Sequence, residues 1–254
     1  MPTFAIPVFL FLISTQSLAQ DLANLLGTGD ALYANLDTDG ALRRYRQAYD
    51  IAPRESKTLI RLVRAYGDLG WLHLRRDSSS RVYYHQASAF AETLLTLEPE
   101  KAEAHFWFAM AKGSLIPFVG TSEKIHIGED VRFHAEKAIK LDSTYSYAYI
   151  ILAIFEREEA KLSWFERAIA LIVFGGELNG SFARSEELLS KALKYDGSSS
   201  FAYFELSRTY DAMGRKEDSI ASLKKVIELP VNSQREERQR ENAAKFLARR
   251  LSAQ

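Results

Sequence analysis

The chain has 254 residues, of which 47% are hydrophobic and 26% charged, so it is long enough to bury a substantial core. Its 33 basic and 33 acidic residues cancel, which removes the electrostatic case for nucleic acid or an anionic membrane surface as a partner. The lack of cysteine excludes disulfides, thiolate catalysis, cysteine-ligated zinc and a lipoprotein acyl anchor.

The first twenty residues predict export. Residues 4–13 form an uncharged apolar run, and the small residues Ser17 and Ala19 precede a possible cleavage position before Gln20. The run is short for a membrane span and is typical of a secretory signal peptide. We therefore expect a cleaved signal peptide at 1–19 and a periplasmic or secreted mature chain without a transmembrane helix. Because no Lys or Arg precedes the run, an uncleaved N-terminal membrane anchor is the alternative.

A helix ending recurs along the chain and predicts the fold. Apolar residues at helical spacing are followed in turn by Pro53, Pro99, Asp142, Asp196 and Pro230. Repeated helix ends indicate a helical hairpin that is used several times, because one hairpin cannot bury its own apolar face. The expected pairs cover residues 22–50, 56–97, 102–141, 145–195 and 200–230, with an inserted loop at 117–128.

Two of these segments share a Leu–Tyr–Gly pattern with a spacing of four residues. The two copies are Leu62, Tyr66 and Gly70, and Leu206, Tyr210 and Gly214. The spacing places Leu and Tyr on one helix face and predicts that the glycine ends the helix. The last unit is close to the roughly 34-residue period of the tetratricopeptide repeat, and the sequence resembles that superfamily.

We therefore predict an all-α, tetratricopeptide-repeat-like right-handed helical solenoid of about five helix pairs. Residues 20–254 are expected to form one domain. A charged helix over 233–251 is expected to bury Ala244, Leu247 and Leu251, and its polar outer face is typical of a terminal cap.

Three insertions, taken in order, resemble the helical domain of the regulator of microtubule dynamics family. They are residues 118–128, residues 162–167 followed by 174–175, and residues 228–231. The resemblance covers about residues 102–254. It implies structural roles for these positions: Gly120, Lys124, Gly128, Ser163, Trp164, Glu166, Arg167, Gly175 and Pro230. It also implies microtubule association, tethering between membranes and a phospholipid-binding helical module, here in a bacterial-type exported homologue.

The first helix of each pair is expected to line a concave groove. The predicted groove positions are Lys57, Ile60, Arg64, Phe106, Met110, Tyr147, Ile150, Ile154, Phe201, Phe204 and Arg208. This mainly apolar set with two arginines favours acyl chains with a phosphate headgroup. The alternative for each residue is ordinary helix packing, since aromatics at helical spacing are usually core.

No motif for catalysis or for a cofactor is found. The five histidines lack the spacings of a helical metal site, so each is expected to be at the surface or in packing. The charged run at 156–161 is interpreted as a solvated helix face. We predict a non-catalytic protein, without metal or cofactor, whose groove binds phospholipid or another apolar ligand. The alternative is a protein–protein interaction scaffold in an envelope assembly, and nucleic acid is not expected as a partner.

Overall fold

The computed structural model describes residues 7–73, 79–163 and 179–252, with side chains described from residue 18 onward. Within these ranges the chain forms eleven α-helices, one short 3-10 helix at Ile116–Phe118 and no strand. The α-helices are α1 (Pro7–Ala34), α2 (Thr38–Ile51), α3 (Ser56–His73), α4 (Ser79–Leu97), α5 (Ala102–Gly113), α6 (Thr121–Leu141), α7 (Ser146–Ala160), α8 (Phe182–Tyr195), α9 (Ser200–Ala212), α10 (Lys216–Glu228) and α11 (Gln234–Leu251).

The helices pack as consecutive pairs. The pairs are α1 with α2, α3 with α4, α5 with α6, α7 with α8, and α9 with α10, and each pair also packs on the next. The odd-numbered helices α3, α5, α7 and α9 touch one another in series, and we call their shared surface, together with the end of α1, the inner face. The predicted solenoid of five pairs and a terminal helix is confirmed.

The helix ends follow the predicted stops. α2, α4 and α10 end two residues before Pro53, Pro99 and Pro230, because the residue before a proline is disfavoured in helical conformation. Asp142 and Asp196 instead cap α6 and α8, where their backbone N–H groups donate to the carbonyls four residues back. These local signals act without help from distant residues.

The predicted inserted loop at 117–128 is wrong from residue 121 onward. After the 3-10 helix, Gly120 caps α6, so that residues 121–128 form its first two turns. Ile127 is buried against the central core, and Gly128 lies close to the ring of Phe155. Packing of this apolar residue makes the segment helical, although its glycines and polar residues favoured a loop.

The two glycines of the Leu–Tyr–Gly pattern serve different purposes. Gly214 follows α9 with φ +74° and ends the helix as predicted. Gly70 lies inside α3, which continues to His73, so the prediction that it ends the helix is wrong. A Cβ at Gly70 would lie 2.6 Å from Cε1 of Tyr84 on α4. Glycine is therefore required there by the close approach of two helices.

The terminal helix buries a different face from the one expected. Ala243 is fully buried and Gln239 nearly so, whereas Ala244 is exposed and Leu251 is 52% exposed. Gln239, Ala243 and Leu247 are spaced by four, and Leu247 packs on the apolar cluster of α9 and α10. Few apolar residues mark this helix, so its sequence defines its buried face poorly.

α1 continues through the predicted cleavage position before Gln20. The contacts described for it involve Leu26, Asp30 and Tyr33, all beyond that position. Among the described residues, no helix combines the length and apolarity needed to cross a membrane. Cleavage and export remain predictions.

Candidate functional site

The middle of the inner face carries a group of aromatic side chains. Phe106 of α5 is buried, and its ring centroid lies 5.6 Å from that of Tyr145 and 5.4 Å from that of Tyr147. Tyr147, at the start of α7, remains 41% exposed. Burial, and then the charges of Asp196 and Glu236, raise the pKa of Tyr147. An aromatic residue that is both enclosed and accessible to water is typical of a recess.

Most of the predicted apolar groove residues belong to the central core. Ile150 is fully buried in the same cluster as Phe106, and Met110, Ile154 and Phe201 pack against that cluster. The structure therefore brings these five together, but largely as the packing that joins α5, α7 and α9. Of the predicted aromatic residues on this surface, Tyr147 is the most exposed.

Two predicted residues lie in other clusters, and a third is at the surface. Ile60 packs with Leu59 at the start of α3, and Lys57 is exposed. Phe204 packs with Leu223 of α10, and its ring stacks on Phe246 of α11 at 6.3 Å. The structure does not bring Phe204 together with the central aromatic residues.

Arg64 is held by groups from α1 and α2. Its guanidinium carbon lies 4.0 Å from the centroid of the Tyr33 ring, and a terminal nitrogen donates to the Tyr45 hydroxyl at 3.4 Å. The carboxylate of Asp30 is 3.8 Å away and also accepts from Arg61. Burial, and then the bond to Asp30, raise the pKa of Tyr45 to about 12, so its hydroxyl stays protonated. Arg64 therefore already has a partner carboxylate.

Arg208 takes part in a charge network between α7 and α9. Its guanidinium donates to Glu205 at 3.2 Å and lies 3.9 Å from Glu158. Arg157, fully buried, donates to the same Glu205 at 2.6 Å and to Glu158 at 3.1 Å. The interpretation of 156–161 as a solvated face is thus wrong for Arg157 and for the buried Glu159. Packing of α7 on α9 encloses Arg157, and the opposite charge of Glu205 compensates for the burial of the guanidinium.

Two predicted surface or packing histidines form a partly buried contact. His105 Nε2–H donates to the Pro99 carbonyl at 2.9 Å, so its Nδ1 accepts from His134 Nδ1–H at 2.7 Å. Burial, and then the charge of His105, lower the pKa of His134 to about 4. Among the described residues, no group of three or more His, Asp or Glu side chains could hold a metal ion.

The positions implied by the family resemblance are only partly described. Gly120 has open space around it, Lys124, Ser163 and Pro230 are exposed, and Gly128 contacts Phe155. Trp164, Glu166, Arg167 and Gly175 lie outside the described residues.

Sequence reasoning missed the meeting of α11 with α3. α11 contacts α3 as well as α9 and α10, and its first turn carries Arg235. There Arg235 donates to the Asp68 carboxylate at 3.2 Å, across 167 positions of sequence. Two features of the sequence single out this part of α3: Asp68 is a charged residue in an otherwise apolar helix, and Trp71 follows the expected end of that helix. Neither indicates which distant residue is the partner.

The two cavities described in the structure lie away from the predicted groove set. One, of about 390 Å³, is lined by residues of α9, α10 and α11, including Ile220, Phe246 and Arg250. The other, of about 370 Å³, lies between α1 and α2 beside Asp37 and Arg43. Neither is lined by the central aromatic residues of the inner face.

Comparison with known proteins gives one family and a set of related folds. A family model described as "Regulator of microtubule dynamics protein 1-3" matches residues 25–252. Regulator of microtubule dynamics protein 3 of Rattus norvegicus is 28% identical over 179 residues, covering 68% of this chain and 36% of the relative. Protein 1 of Mus musculus is 23% identical over 227 residues, covering 88% and 73%. The chain thus spans about a third of the former relative's length and nearly three quarters of the latter's.

Two solved structures share the fold. A thermophilic TPR protein of Thermus thermophilus gives a TM-score of 0.65 at 18% identity, covering 89% of this chain and 99% of that one. PilF of Pseudomonas aeruginosa gives 0.52 at 12% identity, covering 93% and 89%. Likeness at this identity establishes the helical-repeat architecture alone.

Proposed function

Since the chain belongs to the regulator of microtubule dynamics protein 1-3 family, we propose that it is a non-catalytic protein-interaction scaffold that binds a polypeptide on its inner face. The observation that carries the proposal is Tyr147, which is 41% exposed and lies beside Phe106 and Tyr145. Tyrosines in a recess supply large contact area at low entropic cost, and they are enriched where proteins bind proteins.

A polypeptide partner agrees better with the inner face than a phospholipid does. An acyl chain needs a concave apolar cavity, whereas Phe106 and Ile150 are packed into the core. A phosphate headgroup needs unpaired cations, whereas Arg64 lies beside Asp30 and Arg208 beside Glu205. Polar groups exposed beside aromatic rings are instead typical of surfaces that hold peptides.

The partner and the compartment are further parts of the proposal. The names of the relatives refer to microtubule dynamics, and tubulin is therefore one partner to test. The apolar run before Gln20 supports export, which would separate the chain from cytoplasmic microtubules. N-terminal sequencing of the chain made in its own cells decides this question. A start near Gln20 supports export, and a start at Met1 supports the anchored or unexported form.

Site-specific photocrosslinking tests the scaffold. A photoreactive phenylalanine analogue at Tyr147 is expected to capture one protein partner in reproducible stoichiometry. The matched control is the same analogue at Phe133, which is 62% exposed on α6, an even-numbered helix. Equal capture from both positions, or none from Tyr147, contradicts the proposal. Phospholipid released from the purified chain by organic extraction favours the lipid-carrier alternative.

A further inference from the structure

The N-terminal turn of α11 is inserted among helices that are far apart in sequence. α11 packs its buried face on α10, and its first turn reaches α3. Ser233 caps the helix by accepting from the Glu236 N–H at 3.1 Å. The Gln239 side-chain amide also contacts the Ser200 carbonyl at the start of α9. The inner face is therefore partly covered by the chain's own residues.

Arg235 projects from this turn into an aromatic and acidic recess. Its guanidinium carbon lies 5.4 Å from the ring centroid of Trp71 and 5.5 Å from that of Phe201. A terminal nitrogen donates to Asp68 at 3.2 Å. Aromatic faces with a carboxylate favour the flat guanidinium of arginine, which is weakly hydrated and forms directional bonds.

Asp68 is held in place for this contact. Its other carboxylate oxygen accepts from the Tyr33 hydroxyl at 2.5 Å. Burial, and then the charge of Asp68, raise the pKa of Tyr33, so the phenol stays protonated and remains a donor. The Asp68 side chain is 6% exposed. Helices α1, α3 and α9 thus supply the residues that surround Arg235 in the recess.

The contact with Arg235 is weaker than that of the structural arginine of the same molecule. Arg157 is fully buried and donates to Glu205, Glu158 and a backbone carbonyl. Arg235 has one carboxylate partner described, and 22% of its side chain remains exposed. Water can reach the Arg235 side chain, and Asp68 keeps the hydrogen bond from Tyr33 when the arginine leaves. Arg235 can therefore leave its recess more readily than Arg157 can leave its network, while the rest of α11 stays packed.

We propose that Asp68, Trp71 and Phe201 form an arginine-recognition site, in which Arg235 stands in for the arginine of a peptide partner. The partner is a peptide with an arginine that enters the recess between the two rings and donates to Asp68. Release of the α11 turn opens the site, so the chain's own residues set the threshold for binding. This inference rests on the proposed protein-binding function.

The chain itself supplies the probe. A labelled synthetic peptide with the sequence of residues 230–240 carries the arginine in its own surroundings. Fluorescence anisotropy measures its affinity for the full chain and for the Arg235→Ala variant. Because an occupied site reduces apparent affinity by the fraction that is free, we expect Arg235→Ala to bind about two- to fivefold more tightly.

Three controls identify the site. The double variant Arg235→Ala, Asp68→Asn is expected to lose the gain, since the carboxylate is absent. A probe with lysine in place of Arg235 is expected to bind more weakly, because an ammonium group cannot stack as a flat cation. Arg238→Ala is the matched variant: Arg238 also lies on α11 but pairs with Glu241 of the same helix at 3.4 Å, and it should bind like the unmodified chain.

The inference is overturned if Arg235→Ala binds the probe no better than the unmodified chain. Retained binding by the double variant overturns it too. Where Arg235→Ala loses helix content, Arg235→Gln replaces it, with the same expected gain. If the peptide experiment fails but the analogue at Tyr147 captures a partner specifically, the scaffold proposal stands and the arginine site is rejected. If Tyr147 captures no partner but Arg235→Ala binds the probe more tightly, the arginine site stands and the Tyr147 surface is rejected.

Discussion

The second and fifth helix pairs share one sequence pattern and use it differently. In the fifth pair, Gly214 ends α9 and the chain turns at once into α10. In the second pair the helix passes Gly70 and continues to His73, which adds a turn that carries Trp71. In the same register, α9 has Ala212 in place of Asp68. One additional turn thus changes a repeat helix into the wall of a binding recess.

The two pairs are also held by different kinds of ion pair. The fifth is joined to the fourth through Arg157 and Glu205, side chains that are 0% and 6% exposed. The second is joined to α11 through Asp68 and Arg235, where 22% of the arginine side chain is exposed. The same chemistry is structural where water is excluded and exchangeable where water enters.

Loss of the buried ion pair should have the largest effect. Arg157→Ala is expected to destabilise the chain by about 3–5 kcal/mol, because the Glu205 charge stays buried without its partner. Arg208→Ala is the matched control, since this arginine contacts the same carboxylate but is 45% exposed. It should cost less than about 1 kcal/mol. Urea unfolding measures both, and equal losses would remove the distinction between the two kinds of pair.

Substitution of the two glycines separates close packing from backbone strain. Gly70→Ala should destabilise by about 1–3 kcal/mol, because a Cβ meets the Tyr84 ring. Gly214→Ala should cost about 1 kcal/mol through its left-handed backbone, and Gly214→Asn should recover part of that loss. Thermal unfolding of these three variants and of Gly70→Asn checks that Gly70 is needed for close packing and Gly214 for its backbone conformation. An asparagine tolerated at position 70 but not at 214 would contradict it.

The third pair, between these two regions, supplies a contact that depends on pH. The pKa of His134 is about 4 in the folded chain and 6.5 as its ordinary value. The unfolded chain therefore binds more protons between these values, so stability is complete above pH 6.5 and falls as pH decreases towards 4.

Urea midpoints at pH 7 and pH 5 measure this loss. It is expected to be about 1 kcal/mol once solvent screening is included. His134→Gln should reduce the difference between the two pH values. The exposed His85 provides the control, and His85→Gln should leave that difference as it was. A larger change from His85→Gln than from His134→Gln would refute the assignment.

The smallest stability effect is expected at Arg235. Arg235→Ala should cost at most about 1 kcal/mol at low salt, because water can enter the space that the arginine leaves and Asp68 keeps the bond from Tyr33, and the cost should shrink in 1 M NaCl because the Debye length there is about 3 Å. The effect of Arg157→Ala should change little with salt, since its ion pair is shielded from water. Unfolding of both variants across a salt series measures the contrast. A salt-independent loss of several kcal/mol for Arg235→Ala would place it with the structural arginines.

Local chemistry made much of the fold predictable. Prolines and acidic caps fix the helix ends within a few residues, and the apolar spacing of four fixes which faces meet. The errors arose at residues that are compatible with two different local structures. Gly70 is a helix end or a close contact, and the glycines of 117–128 indicate a loop unless Ile127 is buried.

The recess around Arg235 was predictable only in part, since Phe201 is among the predicted groove residues but Asp68 and Trp71 are not. The predicted groove residues Phe106 and Ile150 have the right register, but their spacing is the same for a core and for a groove. In the sequence, Arg235 and Glu236 read as part of the polar outer face of a terminal helix, and no nearby residue indicates that Asp68 is the partner of Arg235. The pairing depends on how far the solenoid curves before α11 begins, which is a sum of small rotations between neighbouring pairs.

The sequence by itself determined the all-helical repeat architecture, the five pairs and nearly all of their ends, because these depend on interactions within a few turns. Only the tertiary structure decided which residues are exposed on the inner face, which arginine is buried, and that α11 meets α3. Those outcomes depend on contacts between residues up to 167 positions apart, and no local pattern specifies such a contact.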